Sequence, residues 1–290
     1  MKLVRFGAAG HEKPGLLDAA GRIRDLSGHL KDIDGEALSA AALARLKALD
    51  PAALPLVDGE QRFGVPVANP SKFVAIGLNY VDHAKEAGMP IPSEPIFFLK
   101  ANTSLCGADD PTEKPRGSTK LDWEVELAVV IGRRAKYIGE AEALDHVAGY
   151  AICNDVSERN FQLERGGTWT KGKSHDGFGP VGPWLVTRDE IPDPQTLSMW
   201  LDVNGARRQT GNTSTMIFSV AKCVAYVSQF MTLLPGDIIT TGTPPGVGTG
   251  MKPAPGRVTS TTPGSWSPAP RQAAPAVSPK RARFSFKFMP

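Results

Sequence analysis

Residues 121–132, LDWEVELAVVIG, constrain this chain more than any other stretch. Trp123, Val125, Leu127 and Val129 alternate with Asp122, Glu124, Glu126 and Ala128, which is the period of a strand. Alternate side chains leave a strand on one face, so Asp122, Glu124 and Glu126 point the same way. Unpartnered carboxylates beside an apolar core are unstable, and a cation, a basic side chain or water must relieve them. A third acidic candidate is Asp155 in YAICNDVSER. Glu124, Glu126 and Asp155 are therefore candidate ligands of one hard divalent cation. An oxygen-only set suits Mg²⁺, Mn²⁺ or Ca²⁺ and argues against zinc or copper. Spacing alone leaves open that the glutamates are solvated edge residues and Asp155 a turn residue. Asp122 shares their parity but stands at the start of the strand and is expected to be exposed.

The chain has 290 residues, enough for one large domain with a small appendage, or for two domains. A net charge of +3 makes no electrostatic case for nucleic acid. Cys106, Cys153 and Cys223 lie far apart with no CxxC pair, so neither a zinc site nor a disulfide framework is supported. No apolar run approaches membrane-spanning length, and the N-terminus lacks the apolar core of a signal peptide. These features predict a soluble, cytoplasmic protein with reduced thiols.

Short strands are expected at residues 2–6 and 21–26, and a helix over 38–49, before Pro51. Four prolines between 50 and 70 suggest a linker, which would make residues 1–65 a small α+β domain. A second domain would begin with the strand 72–76 and run to 255. In GLNYVDHAKEAGMP, Asn79 is a candidate cap for a short helix ending at Glu86, punctuated by Gly88 and Pro90. Such a segment makes a plausible lid. Asn204-Gly205 marks a hairpin. Val220, Cys223, Val224, Val227 and Met231 fall on one helical face. Many irregularly spaced strands with few helices predict a mixed, β-rich α+β fold, not a doubly wound sheet.

Other residues could carry chemistry. His83 and Glu86 are neighbours on one helical turn, and an imidazole beside a carboxylate is a candidate base for water, or an ordinary exposed pair. Lys173, in KGKSHDGFGP, lies among glycines that let the backbone approach a ligand, and could stabilise a substrate oxygen. Lys171 competes for that role. GTPPGVGTGMK fails the phosphate-loop pattern, because Lys252 is preceded by Met251 and followed by Pro253. It could still offer backbone N–H groups to a small carboxylate, with the Thr243 hydroxyl beside them.

Six collinear segments, GLNYVDHAKE, DWEVELAVVIG, GYAICNDVSERNFQ, KGKSHDGFGPVGPW, VNGARRQTGNTSTMIF and LLPGDIITTGTPPGVG, together resemble the fumarylacetoacetate hydrolase family over about residues 70–250. The resemblance implies a mixed β-roll catalytic domain, usually dimeric. It implies Mg²⁺ or Mn²⁺ on Glu124, Glu126 and Asp155, a His83–Glu86 pair on a lid that activates water, and Lys173 polarising the substrate. Tyr80, Arg159, Gln162 and Thr243 match substrate-contacting positions. The implied activity is hydrolysis of a C–C bond in a 2,4-dioxo acid, either an acylpyruvate or a 2,4-dioxo-3-deoxy sugar acid, with release of pyruvate. The N-terminal RFGAAGHEKPGLLDAAGRIRDLS is similar to that of bacterial members linked to such sugar acids. The same fold also carries ureidoglycolate lyase, decarboxylase and 2-hydroxyhepta-2,4-diene-1,7-dioate isomerase activities, and an inactive ligand-binding protein is a further alternative.

Residues 256–290 depart from the family pattern. They hold six prolines and six basic residues with no Asp or Glu, so they supply the whole basic balance. This composition predicts a disordered tail, and a reading frame shifted near Pro255 would account for it.

Overall fold

The computed structural model describes residues 1–250, together with the backbone of two short strands further on. The disorder expected of the tail and the shifted frame near Pro255 otherwise lie outside the described residues. In chain order the strands are β1 Lys2–Phe6, β2 Lys13–Leu17, β3 Ile23–Asp25, β4 Phe73–Gly77, β5 Ile96–Lys100, β6 Leu105–Gly107 and β7 Thr112–Glu113. They continue with β8 Leu121–Asp122, β9 Val125–Ile131, β10 Val147–Asn154, β11 Ser157–Glu158, β12 Gly179–Thr187, β13 Ser198–Val203, β14 Ala206–Asn212, β15 Ile238–Thr240, β16 Ser265–Trp266 and β17 Phe284–Met289. The α-helices are α1 Ala40–Lys47, α2 Val81–Glu86, α3 Arg159–Leu163, α4 Thr170–Lys173 and α5 Val220–Phe230.

Ten strands form one mixed sheet in the order β3-β2-β1-β12-β10-β9-β15-β4-β5, with β6 alongside β12. The β12–β6 and β15–β4 pairs are parallel and the other pairs antiparallel. The mixed, β-rich α+β fold expected from the sequence is the fold observed. The N-terminal strands extend this sheet through the β1–β12 pairing. Residues 50–70 do not hang free as a linker: Phe63 bridges to Phe6, and Val67 and Ala68 are buried. Leu54 and Val67 pack into an apolar cluster with Leu3 and Phe73, and that burial holds the stretch against the sheet.

β9 is central, and its alternation sorts the core. Val125, Leu127, Val129 and Ile131 enter one apolar cluster, while Ala128 and Val130 enter the other. The expected face of α5 packs into the first cluster through Val220, Cys223, Val224 and Val227. Each fully buried valine there contributes roughly 1.5–3 kcal/mol. Ser219 starts the helix by accepting a hydrogen bond from the Lys222 N–H at 3.0 Å. The Asn204-Gly205 hairpin joins β13 to β14, with φ of +54° and +79° at the two turn residues.

Two local expectations fail. Asn79 does not cap α2: its amide is buried and donates to the Phe218 and Thr241 carbonyls, so its hydrogen bonds go to tertiary partners. The strand expected over 121–132 is interrupted, with β8 and β9 separated at Trp123–Glu124. β8 leaves the sheet to pair with β11.

Candidate active site

The register of β9 and β10 brings the acids together. Cys153 lies opposite Glu126 and Asn154 opposite Val125, so the next residue, Asp155, falls beside Glu124. Its N–H donates to the Glu124 carbonyl at 2.8 Å. Glu124, Glu126 and Asp155 are buried, and one oxygen from each lies within 4.8 Å of the others. They floor a cavity of about 280 Å³ that is also lined by His83, Glu86, Arg159, Gln162, Lys173 and Thr243. Nine of the ten residues to which the resemblance assigns a role thus meet around one space. Tyr80 is the exception. It is fully buried in the apolar core, and its hydroxyl has no partner among the described residues.

Basic side chains answer most of the acidic charge. Lys173 Nζ donates to Glu124 at 2.7 Å and to Asp155 at 2.6 Å. Arg159 donates to Asp122 at 2.8 Å through Nε and to Glu124 through Nη2. Lys100, at the end of β5, donates to Asp155 and to the Phe178 carbonyl. Asp122 is only 2% exposed, against expectation, because Arg159, Thr249 and the Gly248 N–H satisfy its carboxylate in place of water. Burial raises the Asp122 and Asp155 carboxyls, but Arg159 at the first, and Lys100 and Lys173 at the second, outweigh it and hold both below the usual range. Burial likewise lowers Lys173, and Asp155 and Glu124 reverse the effect, so the ammonium stays charged.

Glu126 differs. Among the described residues no basic nitrogen pairs with it, and its recorded hydrogen bond comes from the Gly242 N–H at 2.9 Å. Burial, then Asp155, then Glu124 push its carboxyl well above the ordinary value. Four buried carboxylates, those of Asp122, Glu124, Glu126 and Asp155, face three cations, those of Lys100, Arg159 and Lys173. The residual charge sits where the three oxygens converge. A hard divalent cation fits that donor set.

α2 carries the remaining pair. His83 Nδ1 lies 3.3 Å from Glu86 Oε2, and Glu86 also accepts from the Gly246 N–H at 3.0 and 3.1 Å. Thr243 Oγ1 donates to the Val125 carbonyl at 2.9 Å and accepts from Gln209 at 2.7 Å. Lys171 is exposed, whereas Lys173 is 2% exposed. His175 is held between Phe161 and Phe178, with ring centroids 5.5 and 5.0 Å away, and does not line the cavity. Sequence reasoning missed Lys100 and Gln209. A lysine closing the apolar run IFFLK was the available signal for the first. Gln209 stood in a polar stretch, and nothing in the sequence marked it as buried.

A mixed sheet whose central antiparallel pair presents three buried carboxylates, with a histidine and a lysine on flanking short helices, defines a fumarylacetoacetate hydrolase fold. The chain belongs to that family: the model for the fumarylacetoacetate hydrolase C-terminal domain matches residues 72–274. A Burkholderia cenocepacia protein, named provisionally as a hydrolase, is 64% identical over 255 residues, covering 88% of this chain and 90% of its own. The fumarylacetoacetate hydrolase of the psychrophile Exiguobacterium antarcticum superposes with a TM-score of 0.76 at 36% identity, over 87% of this chain and 89% of that one. The maleylpyruvate hydrolase of Sphingobium sp. SYK-6, solved in complex with manganese(II) and pyruvate, superposes with a TM-score of 0.72 at 30% identity, over 86% and 90%. No helix among the described residues is long and apolar enough to cross a membrane.

Proposed function

We propose that the chain is a divalent-metal-dependent hydrolase that cleaves a C–C bond of a 2,4-dioxo acid and releases pyruvate. The observation that carries this reading is the floor of the cavity. Three convergent buried carboxylates, one of them without a basic partner among the described residues, lie below an imidazole–carboxylate pair. A Mg²⁺ or Mn²⁺ ion on Glu124, Glu126 and Asp155 would supply electrophilic pull on the oxygens of the 2-oxo acid. The manganese and pyruvate in the Sphingobium enzyme support that choice.

The chain's own groups do the rest. His83 accepts a proton from water, and Glu86 orients the imidazole and balances its charge. The water oxygen bonds to C4 of the substrate. The C3–C4 bond then breaks, its electron pair passes to the pyruvate fragment as an enolate, and the other fragment leaves as a carboxylic acid. The proton held at His83 returns to C3 and gives pyruvate. Lys173, Arg159 and Gln162 surround the oxygens on which negative charge grows, where a preorganised donor acts most strongly. Thr243 borders the same space. In this reading residues 1–65 cap the catalytic domain formed by residues 66–255, and the molecule is a homodimer, which sedimentation equilibrium would check.

Purified protein is tested on acylpyruvates and on 2,4-dioxo-3-deoxy sugar acids, with pyruvate read by a coupled dehydrogenase. Pyruvate release that requires Mg²⁺ or Mn²⁺ and stops with chelator supports the reading. Release indifferent to chelator, or isomerised products without pyruvate, would overturn it.

A further inference from the structure

The cavity has two chemically different halves. Its floor is charged, and the two strong bases lining it are engaged: Arg159 by Asp122, Gln162 and Glu124, and Lys173 by Glu124 and Asp155. The rest of its lining is largely apolar: Met89, Phe98, Leu163 and Trp169 are exposed or partly exposed, and Leu78 and Val247 are buried behind them. The apolar wall begins next to the floor, since Lys173 Nζ sits 5.5 Å over the Phe98 ring. Trp169 stands edge-on to Phe98 with ring centroids 5.4 Å apart. Gly77 makes room for the indole, because a Cβ there would lie 2.3 Å from the Trp169 ring. Leu163 and Met89 are 53% and 46% exposed, and both border the opening. Adjoining exposed apolar side chains around a polar floor mark a place where an apolar group is bound.

We propose that the substituent beyond the second carbonyl of the substrate is a neutral alkyl or aryl group, selected by Phe98, Trp169, Leu163 and Met89. This deepens the hydrolase reading and rests on it. A carboxylate at the far end of the substrate would lose its water against this wall, and among the described residues no unengaged lysine or arginine lines it. A polyhydroxylated chain fares little better, because Thr243 and Thr249 already donate their hydroxyls to the Val125 carbonyl and to Asp122. A volume of about 280 Å³ lies near the lower end for small-molecule sites, which favours a short acyl or single-ring group.

The test is a matched panel with Mg²⁺: acylpyruvates with alkyl tails of one to five carbons, benzoylpyruvate, tails of equal length ending in a carboxylate, and a 2,4-dioxo-3-deoxy sugar acid. Expected is a rise in kcat/KM of about fourfold per added methylene until the wall is covered. Carboxylate-ended and hydroxylated tails should fall on the order of 100-fold below the neutral tail of equal length. Leu163→Arg should narrow that gap at least tenfold, by placing a cation at the mouth. Calorimetric titration gives a readout without turnover: 2-oxohexanoate should bind at least tenfold tighter than 2-oxoadipate. Turnover that favours charged or hydroxylated tails overturns the specificity and leaves the hydrolase standing. If no dioxo acid is cleaved, the hydrolase reading falls, and the two 2-oxo acids then decide the apolar wall alone, equal affinity overturning it.

Discussion

Glu126→Gln and Glu124→Gln remove the same charge from the same cavity, yet their surroundings assign them opposite effects on the chelated protein. Glu124 accepts from Lys173 at 2.7 Å and from Arg159, so its loss leaves two buried cations short of a partner. Breaking a buried pair in this way costs about 3–5 kcal/mol. For a chain of this size that lowers Tm by about 6–20 °C. Glu126 has Asp155 and Glu124 as like-charged neighbours and the Gly242 N–H as its donor, which a glutamine oxygen retains. Burial, and then the like charges of Asp155 and Glu124, disfavour its ionised form and raise its carboxyl well above the ordinary 4.5. The glutamine removes that unfavourable charge, so Tm in chelator should rise at pH 7. The sign with pH follows. A group whose folded value lies above its unfolded one favours the folded state below the unfolded value, and the advantage is lost as pH rises. The gain from Glu126→Gln should therefore shrink as pH approaches 4.5 and vanish below it. Both variants should bind Mn²⁺ at least ~100-fold more weakly by calorimetry, since each removes an anionic ligand. Scanning fluorimetry with chelator from pH 4 to 8 reads the stabilities. If Glu126→Gln falls as far as Glu124→Gln at pH 7, the account of an unneutralised glutamate is wrong.

His83→Ala should lower kcat by about 10²–10⁴ while Mn²⁺ affinity changes less than threefold; an equal loss of metal binding would place His83 among the ligands instead. Adding Mg²⁺ or Mn²⁺ at ~100 times its Kd should raise Tm by about 5–10 °C, and no shift would remove the metal site from consideration. Gly77→Ala forces a Cβ to within 2.3 Å of the Trp169 ring, so the indole must move, and kcat/KM for neutral-tailed substrates should fall about tenfold with a modest loss of stability. Asp189 is held at about 2, first by its hydrogen bond from Lys47 and then by that from Thr187. Its folded value is depressed, so its contribution is present above about pH 4 and lost as pH falls toward 2, and the Tm difference between wild type and Asp189→Asn should close over that interval.

The acids of the site were legible in one dimension because a strand has period two: Glu124 and Glu126 had to share a face wherever residues 121–132 were placed. The helix face of α5 and the Asn204-Gly205 turn were legible for the same kind of local reason. Asp155 was suspected from its residue type, but only the β9–β10 register sets it beside Glu124. That register is a pairing between residues about thirty apart, which local pattern does not encode. The same pairing, with α4 and β5 closing over it, brings Lys173 and Lys100 onto Asp155 and Arg159 onto Asp122 and Glu124. An exposed Asp122 was the natural expectation for a carboxylate at a strand end, and it failed because its partner lies 37 residues away on α3. Tyr80, which the resemblance placed among the substrate contacts, packs into the apolar core and does not line the cavity.

Residue order alone determined the β-rich class, the acidic pair and the family to which these segments belong, because each rests on periodicity or on short runs that travel intact along the chain. The tertiary structure decided which acid keeps its charge unanswered, and that the rest of the cavity lining is largely apolar. Both depend on what lies within a few ångströms in space. Only the folded chain brings distant residues to that distance and removes the water that would otherwise level their differences.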